Sequence, residues 1–168
     1  MGKKEPVTIE GMRREDIDQV LAIETASFSM PWSRNLFLSE FRSPGVSHLL
    51  VALSAGASVR IVTGYIIFWV IQDEMHILNL AIGPQHRRHG IARTLATEAV
   101  KRAGRKGARR AFLEVRASNL VAQKLYSRLG FVGSSLRRDY YDQPVEDAVL
   151  MTLERGAFAR LANEGWRI

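Results

Sequence analysis

The sequence predicts an α/β chain of the α+β kind: two patterns of residues point to it, and the length and composition agree. Apolar runs of strand length, YIIFWVI at 65–71 and ILNLAI at 77–82, alternate with stretches of helical spacing. From Ile91 onward Ile91, Ala92, Leu95, Ala96, Ala99, Val100 and Ala103 form a stripe with the 3.6-residue period of a helix that buries one face. A length of 168 residues, 46% of them hydrophobic, is enough for one sizeable core, and no repeat or linker interrupts it.

In chain order, a strand is expected near 7–11 and a helix over 15–26, with Ile17, Val20, Leu21 and Glu24 marking its faces. Ser33 is placed to cap a short helix over 34–41, with Leu36, Phe37 and Phe41 toward the core, and Ser43-Pro44-Gly45 ends it. Strands at 48–53 and 61–71 flank the turn-rich SAGAS; the second is almost uniformly apolar in YIIFWVI, as a strand covered on both faces is. A strand at 75–82 leads through Gly83-Pro84 to the striped helix, which stops near Gly104 and Gly107. A strand at 110–116 and a helix at 119–129 follow. Ala122, Leu125, Tyr126 and Leu129 share a face of that helix, and Gly130 is its stop. Closing strands at 131–138 and 147–153 are joined by a long turn, YYDQPVE. Residues 1–153 read as a single domain, and 154–168 as a tail with the pattern of a weak amphipathic helix.

The absence of cysteine excludes disulfides, thiolate catalysis and Cys-ligated metals. Of the four histidines only His86 and His89 lie close together, with no carboxylate beside them, so no metal is expected. A formal charge of +7 points to acidic partners such as phosphates or ribosomal RNA. The basic run KRAGRKGARR is equally the solvated end of a helix, where cations suit the dipole, and it lacks interleaved aromatics for base stacking. No apolar run approaches the roughly 18 to 20 residues of a membrane span. MGKKEPVT is not followed by an apolar leader core, and Met1-Gly2 lacks the Ser or Thr of a myristoylation signal. The expectation is a cytoplasmic protein that does not engage membranes.

Two segments carry chemistry. LEVRASNLVAQKLYSRLGF, 113–131, brings a carboxylate, Glu114, and a phenol, Tyr126, from a strand through a Ser-Asn cap into a helix. A carboxylate and a phenol are a base and an acid. The plainer reading of the same residues is a strand end in water and a core-filling ring. RRHGIA, 87–92, opens the striped helix: its first-turn amides, the positive end of the dipole, and the small Gly90 and Ala92 suit a phosphate or pyrophosphate. Arg87, Arg88 and His89 add positive potential there. The pattern is neither a P-loop nor a dinucleotide fingerprint.

The order of ILNLAI, an Arg-x-x-Gly-x-Ala loop opening a helix, LEVRASN and KLYSRLGF resembles the GNAT superfamily of acetyl-coenzyme A dependent N-acetyltransferases. Adding FSMPWS, RRDYY and EDAVLMTL, it is most similar to the bacterial branch that acetylates the N-terminal alanine of ribosomal proteins. The resemblance covers roughly 8–153. It implies a mixed, mostly antiparallel twisted sheet of six to seven strands, flanked by about four helices and splayed at the cofactor cleft.

The resemblance also implies roles. Glu114 would be the base that takes a proton from the amine and Tyr126 the acid that protonates the leaving thiolate. Backbone donors at Leu80, Ala81 and Ile82 would face the thioester oxyanion. Residues Arg87, Arg88, His89, Gly90, Ile91 and Ala92 would bind the pyrophosphate, with Asn119 on the cofactor arm; a simple helix cap is the alternative for Asn119. Pro31, Trp32 and Ser33, with Tyr140 and Tyr141, would line the incoming peptide N-terminus, where ordinary aromatic packing is the alternative. Acetyl-CoA is the implied acetyl donor, and a protein N-terminus, that of a small-subunit ribosomal protein, the implied acceptor; direct contact with nucleic acid is not required. Two other functions fit the residues: a GNAT enzyme for lysine side chains or small amines, and a non-catalytic basic module that binds ribosome or RNA. Met30 before Pro31 and the C-terminal tail depart from the family pattern.

Overall fold

Seven strands make one sheet in the order β1-β2-β3-β4-β5-β7-β6 in a computed structural model that describes residues 6–165. In chain order the elements are β1 (Val7–Gly11), α1 (Ile17–Ser27), α2 (Arg34–Glu40), β2 (Ser47–Ser54), β3 (Val62–Ile71), β4 (Glu74–Ile82), α3 (Ile91–Arg105), β5 (Arg110–Arg116), α4 (Leu120–Arg128), β6 (Val132–Asp142), β7 (Val145–Leu153) and α5 (Arg155–Glu164). β1 with β2, β5 with β7, and β6 with β7 pair antiparallel, whereas β4 and β5 run parallel. Among the described residues no helix is long and apolar enough to cross a membrane. The N-terminal residues 1–5 read for leader signals, and the last three residues of the tail, lie outside the described residues.

The chain forms two compact units, one comprising residues up to Phe68 with Asn79–Ala96, the other Trp69–Leu78 with residues from Thr97 onward. In the first, β3 is buried along nearly its whole length, as its apolar run predicts, and Ile17, Val20, Ile23, Phe37, Ile82, Ile91 and Leu95 contribute to the core. The start of α1 is fixed by charge. Asp16, 1% exposed, accepts from the Arg13 amide at 2.7 Å and from the Arg60 guanidinium at 2.7 and 3.0 Å. A buried carboxylate is tolerated only with such compensation, and the pairing raises the Arg60 pKa above its ordinary value. In α2 the Ser33 hydroxyl accepts from the Leu36 amide at 3.2 Å, the predicted cap. Of the three residues expected to face the core there, Phe37 is fully buried but Leu36 is 40% exposed, since a helix of seven residues presents only about one deep position per turn.

In the second unit, β5 alternates as a half-covered strand does: Ala111, Leu113 and Val115 are buried, while Glu114 and Arg116 share the other face. The tail, read as an amphipathic helix, forms the fifth helix, α5, beyond the four or so that the family resemblance implies. Phe158 and Leu161 of α5 are buried, a Cβ placed on Gly104 would stand 3.4 Å from Ala162 Cβ, and Arg155 donates to Asp73 at 2.6 Å. The expected long turn at 140–146 is instead a tight connection at Gln143-Pro144, because both strands run further, β6 to Asp142 and β7 from Val145. Opposite Asp147, β6 carries the extra residues between Arg137 and Tyr141, a bulge with Asp139 at φ 50°. β6 is the last strand of the order and its residues are exposed almost throughout.

Gly64 of β3 is required by close approach. A Cβ there would lie 2.5 Å from Ile82 Cδ1 and 2.9 Å from the Ala81 carbonyl oxygen. Gly64→Ala is therefore expected to destabilise the fold by about 1–3 kcal/mol through overpacking, read by urea denaturation, with a backbone shift at Ala81 and Ile82 visible in their amide resonances.

Candidate functional site

In the first unit β4 buries Asn79 and Ala81 on one face and leaves Leu80 half-covered on the other, with Ile82 buried at its end. The last rung of β4 to β5 is Ile77 with Leu113, so residues 80–82 lie beyond that ladder. After Ile82 the Gly83 amide donates to the Thr63 carbonyl at 2.8 Å, and a 3-10 turn at Pro84–His86 leads into the RRHGIA loop. Arg87 does not reach outward as a free cation: its Nε donates to the Ile82 carbonyl at 3.0 Å and its Nη2 to the Ser27 hydroxyl at 3.0 Å. Arg88, at φ 70°, and Gly90, at φ 81°, are in the left-handed region, which turns the chain sharply into α3. Ile91 anchors the helix start in the core, Ala92 is half-buried, and the Thr94 amide donates to the Gly90 carbonyl at 3.1 Å.

The amides ahead of Thr94 belong to the first turn, where no preceding helical carbonyl is in reach. A Cβ on Gly90 would meet only the Arg93 guanidinium, at 3.6 Å. Open main chain, a helix N-terminus and a guanidinium alongside are the donor set for a phosphate, and the residues fit the diphosphate of coenzyme A. Arg93 was not among the residues singled out from the sequence.

The same unit contains a buried polar network that the sequence signalled only as a Glu on a helix face. Glu24 of α1, 1% exposed, accepts from the Tyr65 hydroxyl, from Asn79 Nδ2 at 3.1 and 3.2 Å, and from the Trp32 amide at 2.8 Å. Burial, and then the Glu24 charge and hydrogen bond, push the Tyr65 phenol well above its ordinary pKa, so it remains a donor. The network holds the Pro31-Trp32-Ser33 loop to α1. The Trp32 ring packs 5.4 Å from Phe37, which stands edge-on to Tyr65 at 5.7 Å. Pro31 and Ser33 are exposed and Trp32 half-buried.

In the second unit Glu114 is not enclosed in apolar company. Its side chain is 29% exposed and pairs with Arg137 Nη1 at 3.1 Å. Tyr126 is buried, 5.5 Å from the Phe131 ring, and desolvation followed by the influence of Tyr141 raises its pKa. Tyr141 is pushed up to about 12, chiefly by desolvation and Tyr140, with Arg116 opposing and Glu114 and Glu146 adding smaller upward effects. Tyr141 is thus within electrostatic reach of both Glu114 and Tyr126. Tyr140, 45% exposed, stands perpendicular to Tyr141 at 5.1 Å. Asn119 acts as the cap of α4, its carbonyl accepting from the Ala122 amide at 3.1 Å. Two arginines absent from the predicted set, Arg116 and Arg137, turn out to line this cluster. Their signal was their place in LEVRASN and RRDYY. Among the described residues no group of three or more His, Asp or Glu is disposed to hold a metal.

The family model for the acetyltransferase (GNAT) family matches residues 17–131. A Bacillus subtilis protein named for ribosomal protein bS18-alanine N-acetyltransferase activity is 38% identical over 148 residues, covering 88% of this chain and 95% of its own. The bS18-alanine N-acetyltransferase of Escherichia coli K12 is 32% identical over 148 residues, covering 87% and 96%. Among solved structures, the E. coli ribosomal-protein-S18-alanine N-acetyltransferase superposes with a TM-score of 0.79 at 30% identity, covering 89% of this chain and 94% of that one. Ard1 of Thermoplasma volcanium gives 0.78 at 26%, covering 87% and 95%.

Glu24→Ala would leave three donors without their acceptor, and is expected to cost about 3 kcal/mol or more in a urea titration. Glu24→Gln, which keeps acceptor capacity and shape, is expected to cost less.

Proposed function

The chain belongs to the acetyltransferase (GNAT) family, and on that footing we propose that it transfers acetyl from acetyl-CoA to a protein N-terminal amine, that of an alanine-initiated small-subunit ribosomal protein. The observation that supports the reading is the chain of contacts in which Arg137 pairs with Glu114 at 3.1 Å and lies 5.7 Å from the Tyr140 ring, itself 5.1 Å from Tyr141, together with the buried phenol of Tyr126. The relatives named for bS18-alanine acetylation support the choice of acceptor.

In this reading Glu114, directly or through a water molecule, takes the proton that makes the amine nucleophilic. The demand is modest, because a free α-amine has a pKa of about 7.7 to 8.0. The amine nitrogen forms its bond to the thioester carbonyl carbon, and main-chain N–H groups of residues 80–82 face the developing oxyanion. As the carbon–sulfur bond breaks, the thiolate takes its proton from Tyr126. Burial keeps the phenol protonated across the physiological range, so the proton is in place, while making it a weaker acid than a solvated tyrosine. The loop from Arg87 to Ala92 receives the diphosphate through its main chain, Asn119 lies along the cofactor arm, and Pro31, Trp32, Ser33, Tyr140 and Tyr141 line the path of the peptide.

Glu114→Gln and Tyr126→Phe are each expected to lower kcat by roughly 10²-fold or more with acetyl-CoA affinity unchanged, whereas Gly90→Asp weakens cofactor binding through bulk, backbone strain and charge. Initial rates and acetyl-CoA calorimetry check both. Because its phenol is held above the ordinary tyrosine value, Tyr126 imposes no loss of activity below about pH 10; kcat/KM is expected to rise as the amine deprotonates near pH 8 and then stay level. A panel of Ala-, Ser- and Met-initiated peptides set against lysine peptides and polyamines tests the acceptor: acetylation of lysines or polyamines alone contradicts the proposal.

A further inference from the structure

Arg116 makes a set of contacts that neither the chemistry above nor its own strand requires. It leaves β5 on the same face as Glu114, two residues on, and spans to the β6–β7 connection. Its Nη1 donates to the Pro144 carbonyl at 3.1 Å and its Nη2 to the Gln143 carbonyl at 3.2 Å. Its Cζ lies 4.1 Å from the centroid of the Tyr141 ring, and Nη1 is 3.8 Å from Glu146 Oε2. Glu146 in turn accepts from the Ser118 hydroxyl at 2.9 Å. One planar cation therefore ties the strand that carries Glu114 to both carbonyls of the connection and to the ring of Tyr141.

The hairpin needs such a tie. The bulge after Arg137 breaks the β6–β7 register, and three residues of β6, Arg138, Asp139 and Tyr140, lie opposite only Asp147. Tyr140 lies within that bulge, and although the ladder resumes at Tyr141 opposite Glu146, a rung sets the main chain and not the direction of the ring. The fork geometry is specific to arginine: a lysine ammonium can replace the charge but not the simultaneous pair of carbonyl bonds with a plane stacked on the ring.

We infer that Arg116 is the positioning residue that sets Tyr141 and the Gln143-Pro144 connection against the incoming peptide, and so governs acceptor affinity rather than the chemical step. The inference rests on the N-terminal acetyltransferase reading above. It distinguishes Arg116 from Glu114, its neighbour on the same strand face, whose loss is felt in kcat.

The test uses the full chain, an alanine-initiated peptide varied at saturating acetyl-CoA, and the variants Arg116→Lys, Arg116→Met, Tyr141→Ala and Arg116→Met with Tyr141→Ala. Arg116→Lys and Arg116→Met are expected to raise the peptide KM about tenfold, the scale of one charged hydrogen bond. The acetyl-CoA KM and kcat should stay within about twofold, and the peptide KM of the double variant should rise by less than the product of the two single effects, since Arg116 acts in part through that ring. An unchanged peptide KM, multiplying penalties in the double variant, or a joint fall in kcat and both affinities would overturn the inference. Should Arg116→Met fail to fold, Arg116→Lys with a native melting temperature decides alone. A wild-type protein inactive on every peptide N-terminus would sink the functional reading and this inference together, whereas normal peptide KM in active Arg116 variants sinks the inference alone.

Discussion

A carboxylate buried in a protein interior dictates the arrangement of its neighbours, because each of its lone pairs must find a donor. Glu24 does this in the first unit. Its three partners come from β3, from β4 and from the loop ahead of α2, so three segments distant in sequence are registered to one side chain. Asn79 precedes the β4 residues proposed to face the oxyanion, and Trp32 is the middle of the loop proposed to receive the peptide. Arg87 adds a second tie, joining the end of α1 at Ser27 to the end of β4 at Ile82. The loop at 31–33, the strand end and the phosphate loop are thus all referenced to α1.

The second unit solves a comparable problem by other means. Its cluster lies at an exposed hairpin, where apolar enclosure is not available, and charged forks take the place of a buried network. Arg137 pairs with Glu114 and lies 5.7 Å from the Tyr140 ring, while Arg116 stacks on Tyr141. Exposure also separates the two groups proposed as acid and base: Tyr126, from a buried helix face, is held as a neutral phenol by desolvation, whereas Glu114 remains in contact with solvent and with a cation.

Legibility in the sequence followed the strength of local signals. The strand over Arg110–Arg116 could be read to the residue because its alternation is strict, and the α3 stripe and the Ser33 and Asn119 caps because each rests on one element's own chemistry. The Tyr65 and Asn79 partners of Glu24 lie 41 and 55 residues away, and the carbonyls held by Arg116 lie 27 and 28 residues away, separations that no window of sequence displays. The hairpin was misjudged for a related reason: Asp-Gln-Pro has the composition of a turn, yet Tyr141 with Glu146 and Asp142 with Val145 continue the ladder to its tip. Arg87 illustrates the limit for charged residues, since the sequence displays it only as a source of positive potential at the phosphate loop, whereas its side chain stitches the loop to the strand before it.

The irregularity of β6 has a second effect that has nothing to do with catalysis. A sheet's outermost strand exposes a row of main-chain donors and acceptors that another chain could extend, and this one is eleven residues long with Val132 and Leu136 on display. Its two register breaks and the left-handed Asp139 interrupt that row, and Arg137 and Arg138 place charge beside it. The kink beside the two tyrosines proposed to line the peptide path therefore also denies neighbouring molecules a template for fibrous growth.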